Sequence, residues 1–449
     1  MGDRHEATQG EERSGVRQGT SDAQPGDVSQ SAGSLRQRIA AMGRHARTAA
    51  ARLATLSTER KNAGLLAMAD SLEAGAERIV EANARDLGAG VRAGLDDAML
   101  DRLRLDAGRI VAIAADVRRI AELPDPVGEV LRDWQRPNGL RLEKVRVPIG
   151  VIGIIYESRP NVTVDAATLC LKAGNATILR GGSEAIHSNL ALAAALQRGA
   201  ARAELPEHAI QLIDEVDRTG VRHLAEQEGS LDLIIPRGGR GLIEAVTAAA
   251  RMPVLKHFDG VCHVYVDRAA ELEMAAAISH NAKVQRPGVC NAMETLLVHR
   301  EVAAHFLPRH GRELLDAGVT LHGDPATCEL VPEAVPATED DWGREYLSLD
   351  LAVRVVDSLD EALRHIARHG SRHTDAIVTE DEAAAARFLA EVDSATVLHN
   401  ASTRFADGGE FGFGAEIGIS TDKLHARGPM GLEELTIYKY VVRGSGQVR

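Results

Sequence analysis

The sequence predicts an α/β protein with two doubly wound domains and a separate antiparallel β-ribbon. Three observations support this prediction. Apolar strand-like runs alternate with helical segments from residue 150 onward, and the alternation resumes after residue 350. Two segments, 141–149 and 432–444, alternate apolar and polar residues like exposed strands. A chain of 449 residues is long enough for two or three domains.

The N-terminal part is predicted to be a tail followed by helices. Residues 1–34 are polar, rich in Gly, Ser, Gln and acidic residues, and lack the apolar segment of a signal peptide, so we expect a disordered tail. From residue 34 to 121, apolar residues recur at three- and four-residue spacing, which is typical of amphipathic helices. Pro, Gly and Asn residues between 123 and 139 then interrupt the helical pattern.

The first α/β domain is predicted over residues 35–256, with the ribbon segment 138–149 inside it. "GVIGIIYE" and "ATILRGG" are apolar runs of the buried-strand type, and they flank a helix that Gly174 closes. Strand, helix and strand in this order imply a βαβ unit. The strands "AIQLID" and "LDLIIPRGG" continue the alternation and predict a parallel sheet.

The second α/β domain is predicted over residues 257–422. "LAVRVVD", "DAIVTE" and "SATVLHN" read as strands between helices, and Ser358 and Glu361 have capping-box spacing at the start of one helix. Residues 423–449 are predicted to complete the β-ribbon by pairing with 141–149 or with a neighbouring subunit.

Composition excludes several classes of protein. The net charge of −13 and the lack of a basic cluster argue against nucleic-acid binding. No apolar stretch approaches the ~18 residues of a membrane span, so no membrane partner is expected. The four cysteines are widely spaced and form no CxxC pair, which favours a reducing cytoplasm over a disulfide framework.

Cys290 is the cysteine with the most distinctive surroundings. It follows a Pro-Gly turn and precedes an apolar run, where a thiol is either an activated nucleophile or a buried structural group. Strand alternation places Cys262 and His263 on opposite faces, so we expect Cys262 to pack and no metal site to form. Cys170 is expected to pack as an apolar residue of a helix, and Cys328 is expected to lie in a loop.

Two turns and two loops are further candidates for binding. Segments 178–189 and 234–246 each place an arginine beside glycines after a strand, so they are either phosphate-binding turns or plain tight turns. A GxGxxG fingerprint is absent. Arg404 and Arg427 lie in polar, Gly-rich loops and either bind a carboxylate or phosphate or are solvated charges.

Longer strings resemble a known family, among them "VPIGVIGIIYESRPNVTVDAATLCLKAGNATILRGGSEA", "QRPGVCNAMETLLVH" and "EYLSLDLAV". On these residues the chain, from residue 35 to 442, resembles the gamma-glutamyl phosphate reductases of the aldehyde dehydrogenase superfamily. The resemblance implies an aldehyde dehydrogenase-like fold with a cofactor domain, a catalytic domain and an oligomerisation ribbon, and therefore a homo-oligomer. It also implies NADPH-dependent reduction of L-glutamyl 5-phosphate to L-glutamate 5-semialdehyde with release of phosphate, the second step of proline biosynthesis, in the cytoplasm.

The resemblance implies catalytic roles for three residues. Cys290 would attack the acyl phosphate and carry the acyl group as a thioester, which is a better hydride acceptor than a carboxylate. Asn161 and the backbone N–H of Cys290 would stabilise the oxyanion. Arg159 is the alternative to Asn161 as a donor to the oxyanion. Arg159, Arg404 and Arg427 are also candidates for substrate binding.

The resemblance also implies a cofactor site. Arg180 and Ser183 stand where relatives carry a lysine and an acidic residue for the adenosine ribose, and loss of the acid together with an arginine favours NADP over NAD. Gly238 and Gly239 would lie near the pyrophosphate, and Glu345 would hold the nicotinamide ribose.

One departure from the superfamily supports phosphate chemistry. The glutamate that activates water in hydrolytic relatives is missing from "LKHFDG" at 255–260. The alternatives are a related acyl-phosphate or coenzyme A thioester reductase of the same fold, or an inactive scaffold. Functional coupling to glutamate 5-kinase is a further hypothesis.

Overall fold

The computed structural model describes residues 26–157 and 159–449, and its first part is helical. Ser57, Asp96 and Asp106 cap three helices by accepting a hydrogen bond from the backbone N–H three residues later. Of the tail predicted over residues 1–34, residues 26–34 belong to the first helix and residues 1–25 lie outside the described residues. The helices are α1 Gly26–Leu53, α2 Thr58–Ala74, α3 Ala76–Arg92, α4 Asp97–Leu103 and α5 Ala107–Glu122.

The ribbon is an antiparallel sheet of β1 Val130–Gln135, β2 Arg141–Pro148 and β16 Thr436–Arg443, in the order β1-β2-β16. The C-terminal strand β16 pairs with β2 along its whole length, from Thr436 opposite Pro148 to Arg443 opposite Arg141. Strand β1 was not predicted, because the surrounding Pro, Gly and Asn residues are typical of a turn.

A four-stranded parallel sheet forms the centre of the first domain, in the order β5-β4-β3-β6. Gly174 ends α6 with φ of +78°, where a side chain would also approach the ring of Pro148. The elements are β3 Val151–Tyr156, α6 Asn161–Lys172, β4 Ala176–Arg180, α7 Ile186–Arg202, β5 Ile210–Leu212, α8 Thr219–Ala225, β6 Leu233–Arg237 and α9 Arg240–Ala249.

A seven-stranded parallel sheet forms the second domain, in the order β10-β9-β11-β8-β7-β12-β13. The side chain of Ser358 caps α13 by accepting from the N–H of Glu361, as the predicted spacing indicated. The elements are β7 Cys262–Val266, α10 Leu272–Val284, β8 Met293–His299, α11 Arg300–Asp316, β9 Thr320–Gly323, α12 Pro325–Leu330, β10 Val335–Pro336, β11 Asp350–Val356, α13 Leu359–His369, β12 Thr374–Val378, α14 Glu382–Glu391 and β13 Thr396–His399.

The second sheet is buried on both faces because its strands alternate between two apolar clusters. Val264 packs into one cluster with α10 and α11, whereas its neighbour Tyr265 packs against Phe388 of α14 on the other face. A short antiparallel pair, β14 Ile419–Ser420 and β15 Gly428–Pro429, follows β13.

The C-terminal segment also belongs to the core of the first domain. Met430, Leu432 and Leu435 are buried in the same apolar cluster as the four-stranded sheet. The buried Nδ2 of Asn175 donates to the carbonyl oxygen of Leu435 at 2.9 Å. The segment 423–449, predicted only to complete the ribbon, therefore also closes the first core. Among the described helices, none combines the length and the apolar character needed to cross a bilayer.

Candidate active site

Loops from both sheets meet around Cys290, which is half-buried. Cys290 lies shortly before β8, Gly260 shortly before β7 and His373 directly before β12, so all three lie at the amino ends of neighbouring strands. In the first domain, Arg159 follows β3 and Arg237 ends β6, at the carboxyl ends of neighbouring strands. These edges of the two sheets lie close together, because Cys290 of the second domain is near enough for its charge to act on Arg159 of the first.

The backbone of Cys290 is held by the β7 edge. A Cβ atom at Gly260 would lie 1.9 Å from the carbonyl oxygen of Cys290, so this approach requires glycine. The thiol of Cys262 donates to the same carbonyl oxygen, with 3.2 Å between sulfur and oxygen. Cys262 is buried, as predicted, and it also anchors the loop that carries Cys290.

Several arginine side chains lie near Cys290. Desolvation lowers the pKa of Arg159, and repulsion from Arg237, Arg102 and Arg286 lowers it further. Within the described residues, none of these four arginines forms an ion pair with a carboxylate. These guanidinium groups give the surroundings of the half-buried thiol a positive character that attracts anions. Arg102, Arg237 and Arg286 were missed, although Arg286 stands only four residues before the cysteine.

The two predicted loop arginines differ. The half-buried Arg404 donates from Nε to Oε1 of Gln285 at 2.8 Å, and the charge of Cys290 acts on its guanidinium. Arg427 instead binds Asp393, with 2.7 Å from Nη1 to Oδ1 and 2.7 Å from Nη2 to the carbonyl oxygen. Both Nη groups of Arg427 are thus occupied by Asp393, and its predicted substrate role stays a prediction.

Asn161 is the first residue of α6 and is half-buried. Its Nδ2 donates to Oδ2 of Asp165 at 2.9 Å, which uses one of its two N–H groups. Burial raises the pKa of Asp165 to about 6, and the hydrogen bond from Asn161 opposes that shift. One N–H of Asn161 remains for another acceptor.

Arg180 is buried at the end of β4, where burial lowers its pKa. Its Nη2 donates to the carbonyl oxygen of Val216 at 3.1 Å, and its buried Nε has no hydrogen-bond partner within the described part of the chain. Ser183 lies exposed in the turn that follows. The carboxylate of Glu184, the residue after Ser183, attracts the Arg180 guanidinium.

The turn after β6 already holds an anionic group. Gly239 precedes α9, and its backbone N–H donates to Oε2 of Glu157 at 3.0 Å. A Cβ atom at Gly238 would lie 2.6 Å from the same carboxylate. The turn thus binds a carboxylate of the chain itself, and the predicted pyrophosphate site at Gly238 and Gly239 stays a prediction.

Glu345 lies at the same site as Cys290. Its Oε1 accepts a hydrogen bond from the backbone N–H of Gly260 at 2.9 Å, and Gly260 touches the Cys290 backbone. Burial raises the pKa of Glu345.

A buried ion pair connects the two elements on either side of the loop that carries Cys290. Nζ of Lys283, on α10, lies 2.5 Å from Oε2 of Glu294, on β8, and both side chains are fully buried. The other oxygen of Glu294 accepts from the backbone N–H of Leu347 at 3.2 Å. The pair links the two elements that flank Cys290 to the loop that carries Glu345.

Two histidines lie beside Cys290. One ring nitrogen of His257, one of His373 and the sulfur of Cys290 lie within 4.8 Å of one another. The sequence suggested His257 only together with His263 near Cys262, and His263 instead bonds Asp375 at 2.8 Å. His373 was missed because it is more than 80 positions from Cys290 in the sequence.

The remaining cysteines lie apart from the site. Cys170 is buried in α6, as predicted, and burial raises the pKa of its thiol. Cys328 lies in helix α12 and not in a loop, and its thiol donates to the carbonyl oxygen of Gly323 at 3.4 Å.

Comparison with known proteins identifies the family. Residues 20–327 match the aldehyde dehydrogenase family. Two gamma-glutamyl phosphate reductases are similar over nearly the whole chain. The protein of Moorella thermoacetica is 59% identical, covering 91% of this chain and 97% of its own, and that of Thermobifida fusca is 57% identical, covering 90% and 97%. The chain belongs to the gamma-glutamyl phosphate reductases of the aldehyde dehydrogenase family.

The solved structures agree with this assignment. The crystal structure of gamma-glutamyl phosphate reductase from Thermotoga maritima has a TM-score of 0.90 and 46% identity, covering 92% of this chain and 99% of that one. The protein is thus an oxidoreductase with an aldehyde dehydrogenase fold, a family that uses nicotinamide cofactors. The predicted fold class and family are confirmed.

Proposed function

We propose that the protein reduces L-glutamyl 5-phosphate to L-glutamate 5-semialdehyde with NADPH and releases phosphate, the second step of proline biosynthesis from glutamate. The observation that carries the proposal is the half-buried thiol of Cys290 beside arginines that have no carboxylate partner within the described residues. The names of the relatives that are 57% and 59% identical support the same reaction.

Cys290 acts as the nucleophile. Its thiolate sulfur bonds to the acyl carbon of the substrate, the bond from that carbon to the phosphate oxygen breaks, and the phosphate leaves with the bonding electrons. Arg159 and Arg286 lie where they would neutralise the leaving phosphate, and guanidinium groups suit its oxygens geometrically. The free N–H of Asn161 and the backbone N–H of Cys290 are the proposed donors to the oxyanion.

The nicotinamide cofactor, when bound, supplies the hydride that reduces the acyl group. The residues present fit such a cofactor, since the buried and unpartnered Nε of Arg180 offers a donor to a phosphate or ribose oxygen. We infer NADP as the cofactor because the Arg180 guanidinium can pair with a 2′-phosphate. Ser183 would assist there, the Gly238–Gly239 turn would face the pyrophosphate, and Glu345 would hold the nicotinamide ribose.

The segment 255–260 offers no free carboxylate that could activate water against a thioester. Asp259 pairs with Arg240, and Lys256 pairs with Asp422 at 3.2 Å. The lack of a free carboxylate in this segment favours transfer to phosphate or hydride over hydrolysis.

We further infer a homo-oligomer assembled through the ribbon. Trp134, Leu142 and Val442 stand opposite one another across its three strands and form an apolar row, and Val442 is 53% exposed. A cytoplasmic location and functional coupling to glutamate 5-kinase, which would shorten the exposure of a labile acyl phosphate to water, complete the proposal.

The test uses the reverse reaction. The full-length protein should reduce NADP with glutamate semialdehyde only when phosphate is present, and Cys290→Ala should lower the rate by several orders of magnitude while Cys328→Ala leaves it unchanged. Coenzyme A replacing phosphate as the acyl acceptor would favour the related thioester reductase. Near-normal turnover of the Cys290→Ala enzyme would refute the covalent route.

Cofactor choice has its own test. Arg180→Leu should raise the KM for NADPH much more than that for NADH, and equal effects on both would overturn the role of Arg180. Glu184→Gln is the matched variant, because removing the neighbouring carboxylate should strengthen the preference for NADPH.

A further inference from the structure

Cys290, His257 and His373 form a compact group of thiol and imidazole ligands. Their ligand atoms lie within 4.8 Å of one another, and the two imidazole rings meet edge to face with centroids 5.6 Å apart. Each ligand comes from a different segment, before β8, before β7 and before β12 respectively. This convergence is independent of the substrate chemistry proposed above.

The protonation of His257 is determined by its backbone partner. Its Nδ1 lies 2.9 Å from the carbonyl oxygen of Ile419. A carbonyl oxygen only accepts hydrogen bonds, so Nδ1 carries the proton and Nε2 carries the lone pair. An imidazole whose outer nitrogen donates to a backbone carbonyl is the usual arrangement of a metal-ligating histidine.

The protonation of His373 follows from Cys262. The single proton of the Cys262 thiol goes to the Cys290 carbonyl oxygen, so its sulfur, 3.7 Å from Nδ1 of His373, accepts there. Thr374 Oγ1 lies 2.9 Å from the same nitrogen and can also accept from it. In the tautomer with the proton on Nδ1, the buried Nε2 carries a lone pair and has no hydrogen-bond partner in the described residues.

We propose that Cys290, His257 and His373 bind a thiophilic divalent cation such as Zn²⁺, and that the bound cation blocks the nucleophile. One thiolate and two neutral imidazoles with an accessible fourth position make a three-ligand zinc site, which a water molecule completes. Binding replaces the thiol proton, which is released to solvent, with a sulfur–zinc bond, and no electrons are transferred. Zinc–ligand bonds of this type place ligand atoms about 3.5 Å apart, which the three ligand atoms, all within 4.8 Å of one another, can reach by small side-chain movements.

The surrounding charges are mixed. The carboxylates of Glu345, Asp375 and Glu416 favour positive charge at His373, whereas the guanidinium groups of Arg159 and Arg404 near Cys290 oppose a dication. A substrate phosphate would be attracted to the same arginines, so cation and acyl substrate compete for Cys290. Inhibition by Zn²⁺ should therefore be relieved by a chelator and by saturating acyl substrate.

The test measures binding directly on the full-length, reduced protein without substrate. CoCl₂ is expected to produce a thiolate-to-cobalt charge-transfer band at one equivalent, and ZnCl₂ is expected to abolish it and to protect Cys290 from alkylation by iodoacetamide. His257→Gln, at a half-buried position, should weaken Zn²⁺ binding by at least about tenfold, because loss even of an outer-shell partner commonly costs that much. Cys328→Ala and His305→Gln are matched controls and should bind as the unmodified protein does.

A charge-transfer band that persists in Cys290→Ala, or a Zn²⁺ affinity unchanged by His257→Gln, would overturn the proposal. His373→Asn provides a second removal of a ligand, and its folding is checked by circular dichroism. Because the readout is metal binding without substrate, a failure here leaves the reductase proposal intact, and a failure of the reductase assay leaves the metal result standing.

Discussion

The backbone of Gly260 touches the backbone of Cys290 so closely that a Cβ atom at Gly260 would lie 1.9 Å from the Cys290 carbonyl oxygen. The position of the thiol thus depends on a residue that precedes a different strand. The Gly260 N–H also donates to Glu345, so one glycine positions two proposed site residues.

Gly260→Ala should displace the Cys290 loop and lower kcat, on the order of 10²-fold, because a shift of about 1 Å at a reacting group commonly costs that much. The KM for NADPH should rise as well, because the Gly260 N–H positions Glu345, which is proposed to hold the nicotinamide ribose. Gly241→Ala is the matched control, because its added carbon meets no atom within 4 Å. Equal activities of the two variants would contradict the role of the Gly260 contact.

Lys283→Met should destabilise the protein strongly. Removing one partner of a fully buried ion pair leaves the other charge uncompensated, which costs about 3–5 kcal/mol in the free energy of unfolding. Arg309→Met removes an exposed partner of Glu273 and should cost less than about 1 kcal/mol. Urea denaturation of both variants measures the difference, and similar midpoints would disprove the expected contrast.

Stability should fall in mild acid because of His373. Burial lowers the pKa of His373 from 6.5 to about 4, so between these values the unfolded chain binds a proton that the folded protein does not. The stability is complete above pH 6.5 and is lost as the pH falls toward 4, by on the order of 3 kcal/mol for a shift of this size.

His373→Asn should flatten this part of the pH profile, measured by urea denaturation at several pH values. His305→Asn, at an exposed position on α11, should leave the slope unchanged. If His373→Asn retained the full slope, other buried groups such as His365, whose pKa burial lowers to about 2, would have to account for it.

Val442→Asp should weaken self-association. The new carboxylate would enter the apolar row with Trp134 and Leu142, and burying an unpaired charge against another subunit is costly. Analytical ultracentrifugation should show smaller species for this variant. Lys439→Asp adds a carboxylate on the other face of the same strand and should retain the assembly, so dissociation of both variants would argue against an interface at the row.

Local patterns predicted most of the sheet strands, because buried parallel strands read as continuous apolar runs, as in "GVIGIIYE". The strand β1 was missed because its six residues stand among turn-forming residues, and its pairing with β2 decides its conformation. The site was harder to predict, since Gly260, Cys290 and His373 come together through strand order and not through sequence spacing. The polar, Gly-rich loop around Arg427 indicated binding, and its ion pair with Asp393 was beyond local pattern because the partner comes from a distant segment.

The hydrogen bond from Asn175 to Leu435 has a consequence for synthesis of the protein. The four-stranded sheet is translated well before Met430, Leu432 and Leu435, the residues that close its apolar cluster. The nascent chain therefore exposes an incomplete core until these residues have been made, and it needs protection from aggregation during that time. Chains truncated just before Met430 should be insoluble, even though every proposed catalytic residue precedes that point.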